Sequence, residues 1–216
     1  MDEGRVIIRK FTAQDRNALR RISCQTAFLG KPYHHFFEDK ELLADLLTMY
    51  FTDYEPGSCF VATDQDKVIG YLIGSKDSAL MRGIFYRKIL LRLLIRAAAD
   101  GIIFKRNTWR FLVNYVISFF RGEFFMPDFS KKYPAVLHIN IDEGYRGLKI
   151  GIGLIEKYLG FLRENKISGV HFGTISDGAA VFFGKAAFKV LYKSRRSYLK
   201  YYLGKDAQFY IFGRTL

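Results

Sequence analysis

The sequence predicts a domain of the α/β class. Half of its 216 residues are apolar and a quarter are charged, which allows a packed core and excludes a disordered or collagen-like chain. Short β-rich runs alternate with segments whose apolar residues recur at helical spacing. No repeat or low-complexity linker divides the chain, so we predict one domain over residues 1–216, with a helical insertion at about 75–132.

The first 74 residues predict the order strand, helix, helix, strand, strand. A strand at 6–9 precedes a helix that begins near Thr12 and Asp15, which suit a helix start, and that ends near residue 28. A second helix is predicted from the spacing of Leu43, Leu46, Leu47 and Tyr50. Two β-rich runs, 58–62 and 67–74, flank a short polar turn and predict a hairpin.

The insertion and the last third of the chain follow the same reasoning. Helices are predicted at 84–99 and around 109–117, within a segment that holds 12 Lys and Arg residues against 4 Asp and Glu residues. A strand at 134–141 then leads through a loop into a helix that ends near residue 164. Beyond it we predict a strand at 169–175, a short helix capped by Asp177, and two closing strands, 188–192 and 209–212.

Composition limits the possible functions. A net charge of +13 favours an anionic ligand, a nucleic acid or a membrane surface, without choosing among them. Two cysteines are too few for a disulfide scaffold or a zinc site, and we expect no metal. The first five residues lack a secretory pattern, which predicts a cytoplasmic protein, and no apolar run reaches the roughly 18 residues of a membrane span.

The most informative stretch is the glycine-rich turn that follows the 134–141 strand. Gly147, Gly151 and Gly153 lie close to two cations, Arg146 and Lys149, and a helix follows directly. Glycines let successive backbone amides approach a ligand, and the start of a helix adds unpaired N–H groups and a positive dipole end. The turn therefore predicts an anion site, although a tight structural turn would use the same glycines.

In its strand–helix context this turn resembles the signature Arg/Gln-x-x-Gly-x-Gly/Ala of the GNAT superfamily of N-acetyltransferases. Residues 146–151 match it, with Lys149 in place of the middle glycine. The opening strand and helix, the hairpin, and the stretch 176–188, which is similar to the late Asn-x-x-Ala-x-x-Phe-Tyr-x-Lys-x-Gly-Phe motif, agree in order and spacing. The resemblance covers about 1–74 and 133–216.

The resemblance implies a mostly antiparallel mixed sheet flanked by helices, with the insertion between the third and fourth strands. It implies acetyl-CoA as co-substrate and a small-molecule or peptide amine as acceptor. The fourth and fifth strands would splay apart around the pantetheine arm, and a backbone N–H at a bulge would polarise the thioester. The implied cofactor-binding residues are Ile139, Ile141, Arg146, Gly147, Leu148, Lys149, Ile150, Gly151, Ile152, Ser176, Ala179 and Phe182.

The chemical residues match the family less well than the cofactor turn does. Phe183 stands where the family has the tyrosine that protonates the leaving thiolate, and Ser176 replaces an asparagine. Loss of one general acid costs about 10²–10⁴-fold, whereas positioning can supply as much as 7–11 kcal/mol, so a slow enzyme is expected. The alternative is a non-catalytic module of the same fold that binds acyl-CoA or a peptide.

Candidate catalytic groups are His138, Asn140 and Ser176. His138 and Asn140 alternate with Ile139 and Ile141, so both point to one side of the strand, where His138 could accept a proton from the amine. A hydrogen-bonded strand histidine is the competing interpretation. His34 and His35 lie in the loop between the first two helices, which lines the acceptor side in the family, and are expected to contact the substrate.

The basic insertion leaves several partners open. Lys88, Arg92 and Arg96 are four residues apart on one helical stripe, which suits a solvated face or an anionic surface such as a membrane. The aromatic residues from Trp109 to Phe129 favour a large apolar contact, for example in a homodimer or over the acceptor pocket. No nucleic-acid-binding motif is present, so no nucleic acid is expected.

Overall fold

The computed structural model describes residues 6–35 and 37–216 and is built around a seven-stranded sheet with the order β1-β2-β3-β4-β5-β7-β6. Only β4 and β5 pair in parallel, and every other neighbouring pair is antiparallel. The predicted mixed, mostly antiparallel sheet is therefore confirmed. The strands are β1 (Ile7–Lys10), β2 (Phe60–Asp64), β3 (Lys67–Ser75), β4 (Ala135–Ile141), β5 (Gly169–Thr174), β6 (Lys189–Arg196) and β7 (Ala207–Thr215).

The predicted helices flank this sheet in the expected order, with some earlier starts, and one short helix, Lys200–Leu203, was not predicted. The described α-helices are α1 (Arg16–Thr26), α2 (Lys40–Met49), α3 (Ser78–Ile84), α4 (Leu91–Ala99), α5 (Arg106–Phe120), α6 (Ile150–Glu164), α7 (Asp177–Lys185) and α8 (Lys200–Leu203). A π-helical stretch, Phe85–Leu90, joins α3 to α4, so the helix expected at 84–99 already begins at Ser78. No described helix is both long enough and apolar enough to span a bilayer.

Alternation along the strands gives the sheet two separate apolar faces. Phe60 and Leu72 point to one face and pack with α6 and α7, whereas Val61 and Tyr71 point to the other and pack under α1. The segment between β3 and β4 adds a third core, in which Ile89 and Leu93 pack with residues of α2. Helices α3 to α5 thus lie on the same side of the molecule as α2.

One predicted helix cap is wrong. The N-cap of α7 is Ser176 rather than Asp177: the Ser176 hydroxyl accepts a hydrogen bond from the Ala179 amide at 3.2 Å. A capping residue must have an extended backbone, and Ser176 has φ −93° and ψ 118°. Asp177 is already helical, and its carboxylate accepts a hydrogen bond from the Tyr210 hydroxyl at 3.2 Å.

Candidate active site

A cleft opens where β4 and β5 separate. The two strands pair only at Ala135–Val170 and Val136–His171, whereas β4 stays paired with β3 as far as Ile141. Beyond the Leu137 amide, no strand among the described residues pairs with the edge of β4 that faces β5. The divergence expected between the fourth and fifth strands is therefore present.

The backbone of Ile139 and Ile141 faces this cleft. The Asp142 amide donates to the Ile69 carbonyl on β3 at 2.8 Å, and backbone groups alternate between the two sides of a strand. The groups of Leu137, Ile139 and Ile141 therefore point away from β3. The expected bulge is not found, because the β3–β4 register runs without a shift from Gly70–Ile141 to Ser75–Val136.

The glycine-rich turn forms a row of unpaired amides at the open end of the cleft. Gly147 has φ +86° and Lys149 has φ +59°, and α6 begins at Ile150 without a side-chain cap. Among the residues that the structure describes, the amides from Gly147 to Gly151 have no hydrogen-bond acceptor. These amides and the positive end of a 15-residue helix make a site suited to an anion.

Arg146 lies between this turn and the α1–α2 loop. Its Nε donates to the Ile141 carbonyl at 3.3 Å, and a terminal nitrogen donates to the Gly30 carbonyl at 2.9 Å. Lys149 and Leu148 are exposed beside it, whereas Ile150 is buried and Ile152 is half-buried against the core. The turn thus exposes two cationic side chains to solvent, while the buried start of α6 fixes its position.

Helix α7 closes one side of the turn. A Cβ atom on Gly151 would lie 3.0 Å from the Phe182 ring, so a glycine lets the two helices approach closely. Ala179 packs on the same core, and the Ser176 hydroxyl is already used as the cap of α7. The structure therefore brings Gly151, Ser176, Ala179 and Phe182 to neighbouring positions.

Phe183 does not face the cleft as a potential acid would. Its ring is buried, with its centroid 4.3 Å from that of Phe172 and 5.9 Å from that of Phe212. It belongs to the apolar core and has no proton to donate.

His138 and Asn140 lie together on the α1 face of the sheet. The Asn140 side-chain nitrogen lies 2.9 Å from His138 Nε2 and 2.7 Å from the Tyr71 hydroxyl, to which it donates. His138 is exposed to solvent, and the protein around its ring lowers the pKa of His138 to about 4. This histidine is neutral near pH 7 and is a weak base.

The two loop histidines are only partly described. His34 is exposed in a short turn, Tyr33–His35, and the side chain of His35 lies outside the described residues. The same loop contains Gly30, which contacts Arg146, so the loop borders the anion site.

Sequence reasoning missed a cavity of about 470 Å³ on the α1 face, between α3, the 124–129 segment and strands β4, β5 and β7. His171 of β5 lines this cavity, with its Nδ1 2.6 Å from the Tyr133 carbonyl. Burial lowers the pKa of His171, partly offset by that hydrogen bond. The sequence carries no local signal for this site, because its walls are distant in the chain.

Solved structures share this fold across nearly the whole chain. A protein called SsHAT is 18% identical over 97% of this chain and 98% of its own, with a TM-score of 0.70. A GCN5-related N-acetyltransferase from Kribbella flavida is 12% identical over 98% of each chain, with a TM-score of 0.60. The putative acetyltransferase yncA from Salmonella typhimurium, solved with acetyl-CoA, is 12% identical over 98% of this chain and 94% of its own, with a TM-score of 0.57.

Neither a protein-family model nor a curated protein sequence matches the chain. The likeness is one of three-dimensional structure, and it agrees with the strand order, the diverging strands and the turn before α6. The chain has the fold of the GNAT superfamily of N-acetyltransferases.

Proposed function

We propose that this protein is an acetyl-CoA-dependent N-acetyltransferase that acts on a primary amine. The observation that carries the proposal is the row of unpaired amides from Gly147 to Gly151 at the end of the β4–β5 cleft. A diphosphate is the ligand that such a row suits, and a strand edge beside it can hydrogen-bond an extended amide chain. Coenzyme A combines both groups, and one structure of the same fold holds acetyl-CoA.

In this proposal the pyrophosphate binds the turn and the pantetheine arm runs along Ile139 and Ile141. The acetyl group then lies near Leu137, beside Ile139, whose amide is the first on β4 to face the cleft beyond the β5 pairing and can polarise the thioester carbonyl. The amine nitrogen attacks the carbonyl carbon, the C–N bond forms, and the C–S bond breaks. The nitrogen loses a proton to water or to a neighbouring base, and the sulfur leaves as thiolate and takes a proton from water, since Phe183 has none to give.

Calorimetric titration with acetyl-CoA tests the binding step. We expect micromolar binding by the wild type and its loss in Arg146→Glu, because a carboxylate beside the turn repels the phosphates. Arg163→Glu, at the far end of the same helix, is the matched control and should bind as the wild type does. Equal binding by all three proteins, or none, would contradict the site.

Thiol release distinguishes the enzyme from a module that only binds. Phe183 lacks the hydroxyl, and Ser176 the side-chain amide, that the family has at these two positions, and this observation favours the module. Steady release of coenzyme A with an amine, above the rate of hydrolysis, would support the enzyme. Tight binding with no release for any amine would favour the module.

A further inference from the structure

We infer that the acceptor is a primary amine carried on an apolar body and that it binds in the cavity lined by His171. This inference rests on the proposed function. The cavity meets the cleft at the point where the strands separate, because Val136, Leu137, His171, Phe172 and Gly173 line it. An amine in the cavity and a thioester in the cleft would approach the same stretch of β4 from two sides.

The cavity wall is apolar and rich in aromatic and thioether side chains. Its volume of about 470 Å³ suits a small organic molecule. Among the described residues, the charged side chains that line it are Arg82 and Asp128, both exposed and 3.9 Å apart, so they offset each other. A polyamine would bury charges that this wall does not compensate. The apolar lining includes Phe51, Met81, Phe124, Phe129, Phe209 and Ile211.

Ser78 places a buried polar group without a described partner in the wall of this cavity. It lines the cavity, is 1% exposed, and its hydroxyl has no hydrogen-bond partner among the described residues. A buried hydroxyl without a partner is destabilising, so such groups in folded proteins usually have a ligand or water.

His171 is placed to accept the proton of the attacking amine. Its Nδ1 is within hydrogen-bond distance of the Tyr133 carbonyl, which must accept, so Nδ1 carries the proton and Nε2 keeps its lone pair. As the C–N bond forms, the amine N–H proton passes to Nε2 while the thiolate leaves. The charged groups that face the ring are Arg82, which disfavours its protonation, and Asp128, which favours it.

An amine panel tests the acceptor class. Thiol release with acetyl-CoA is measured for phenethylamine and hexylamine against ethanolamine and putrescine, and we expect at least about a tenfold higher kcat/KM for the first pair. In parallel, equilibrium dialysis measures binding of labelled phenethylamine to the protein saturated with coenzyme A. Faster acetylation of putrescine, or no saturable binding of phenethylamine, would overturn the inference.

Two variants connect this preference to the cavity. Met81→Lys places a cation in the cavity wall and should abolish phenethylamine binding and acetylation. Leu80→Lys adds the same charge at the neighbouring, exposed residue of α3 and should change neither. Acetyl-CoA binding should be normal in both. A normal Met81→Lys enzyme would remove the cavity from the reaction.

His171→Asn tests the proton acceptor. The Asn side-chain nitrogen can still donate to the Tyr133 carbonyl, while the basic nitrogen is lost. We expect kcat to fall by about 10²–10⁴-fold, with the acidic limb of the pH–rate profile removed. An unchanged pH profile would show that His171 is not the base. If acetyl-CoA fails to bind the wild type, the proposed function is refuted. A negative result with the amines, with the cavity variants or with His171→Asn refutes only the inference about the acceptor.

A second proposal comes from the exposed face of α5. Its outer stripe is apolar, with Trp109 55% and Phe120 82% exposed, while Thr108 and Ser118 on the inner side are buried. The helix therefore carries an apolar stripe on its outward side, although an ordinary surface helix has polar residues there. The outer residues have helical spacing and are Trp109, Val113, Val116, Ile117 and Phe120.

We propose that this face binds an anionic lipid surface. The segment 87–121 holds eight Lys and Arg residues and one acidic residue, so its net charge is +7. Two copies of so basic a face would repel each other, whereas an anionic bilayer would attract both its charges and its aromatic side chains. Helix α4 adds exposed Leu91, Leu94 and Ile95 to the same segment.

Vesicle sedimentation with the full chain tests this proposal. We expect binding to phosphatidylcholine vesicles that contain phosphatidylglycerol, little binding without it, and release by high salt. Trp109→Ser with Phe120→Ser should weaken binding at least about tenfold, whereas Val181→Ser, at an exposed valine of α7, should not. The Arg92→Glu, Arg106→Glu double variant should abolish binding to the anionic vesicles. The Lys157→Glu, Arg163→Glu double variant should reduce this binding less.

Two results would overturn the membrane proposal. The first is equal sedimentation with neutral and anionic vesicles, or none with either. The second is a dimer in analytical ultracentrifugation that Phe120→Ser dissociates, which would make a second copy the occupant of this face. Circular dichroism melts of each variant show whether the fold is intact, so a loss of binding can be assigned to the face.

Discussion

Replacing Lys149 with glycine should stabilise the protein, which is unusual for a glycine substitution at the start of a helix. Lys149 occupies the middle glycine position of the turn and keeps a left-handed backbone, with φ +59°. Its side chain is exposed and has no ion-pair partner among residues 6–35 and 37–216. The substitution therefore removes strain and little packing.

The expected gain follows from two opposing contributions. A residue with a side chain loses about 1–2 kcal/mol in the left-handed region, and glycine avoids this cost. Glycine loses more conformational freedom on folding, which costs about 0.5–1 kcal/mol. The balance is a gain of about 1 kcal/mol in the free energy of unfolding, or roughly 2–4 °C in Tm for a chain of this size.

Urea unfolding of Lys149→Gly and Lys149→Ala measures this balance. Both variants lose the same charge, but Lys149→Ala keeps the Cβ atom and therefore the strain. Acetyl-CoA affinity should fall by the same factor in both, because the amide is retained. If Lys149→Gly is no more stable than Lys149→Ala, the turn does not have the left-handed backbone on which its row of amides depends.

Three further substitutions test separate parts of the structure. Ser78→Ala should raise the unfolding free energy by about 1 kcal/mol by removing a buried unpaired hydroxyl; a loss in urea unfolding would mean that Ser78 has a partner. Burial alone would raise the pKa of Asp15, but hydrogen bonds from Arg9 and Thr12 outweigh it and lower the pKa. The ionised Asp15 therefore stabilises the fold above its unfolded pKa near 4, and this stabilisation is lost as the pH falls through the lower folded pKa. The Asp15→Asn substitution should lower the free energy of unfolding by about 2 kcal/mol at pH 7. Equal melting temperatures of wild type and variant at that pH would refute this. Phe183→Tyr should lower stability by about 2 kcal/mol and leave thiol release no faster, since its hydroxyl would enter an aromatic core; a faster rate would show that the ring reaches the sulfur.

Local signals were sufficient for most of the fold. Short β-rich runs predicted the strands, and the glycine turn between β4 and α6 was found because its residues are contiguous. The cap of α7 was assigned to Asp177 because serine and aspartate are adjacent and both suit a helix start. Backbone angles decide between them, and these angles depend on the path of the chain from β5.

The acceptor side could not be predicted in this way. His171 was visible in the sequence as part of a strand, but nothing near it in the chain indicates a cavity. The cavity forms because the 124–129 segment folds back over β5, and because β5 leaves β4 after only two paired residues. Strand alternation alone makes His138 a candidate base, yet desolvation lowers its pKa to about 4.

The exposed face of α5 and the cavity lead to a common constraint on the acceptor. The same segment supplies Phe124 and Phe129 to the cavity and an outward apolar stripe to its surface. An amine with a long apolar body would be concentrated in a bilayer, and an enzyme held at that surface would meet it there. We compare the rate of acetylation of hexylamine held in vesicles with its rate in solution. If the rate is higher in vesicles, and if the Trp109→Ser, Phe120→Ser double variant removes only this difference, then the cavity and the apolar stripe serve one substrate. If both rates respond equally to the pair, the stripe acts on the fold of the cavity and not on access to lipid.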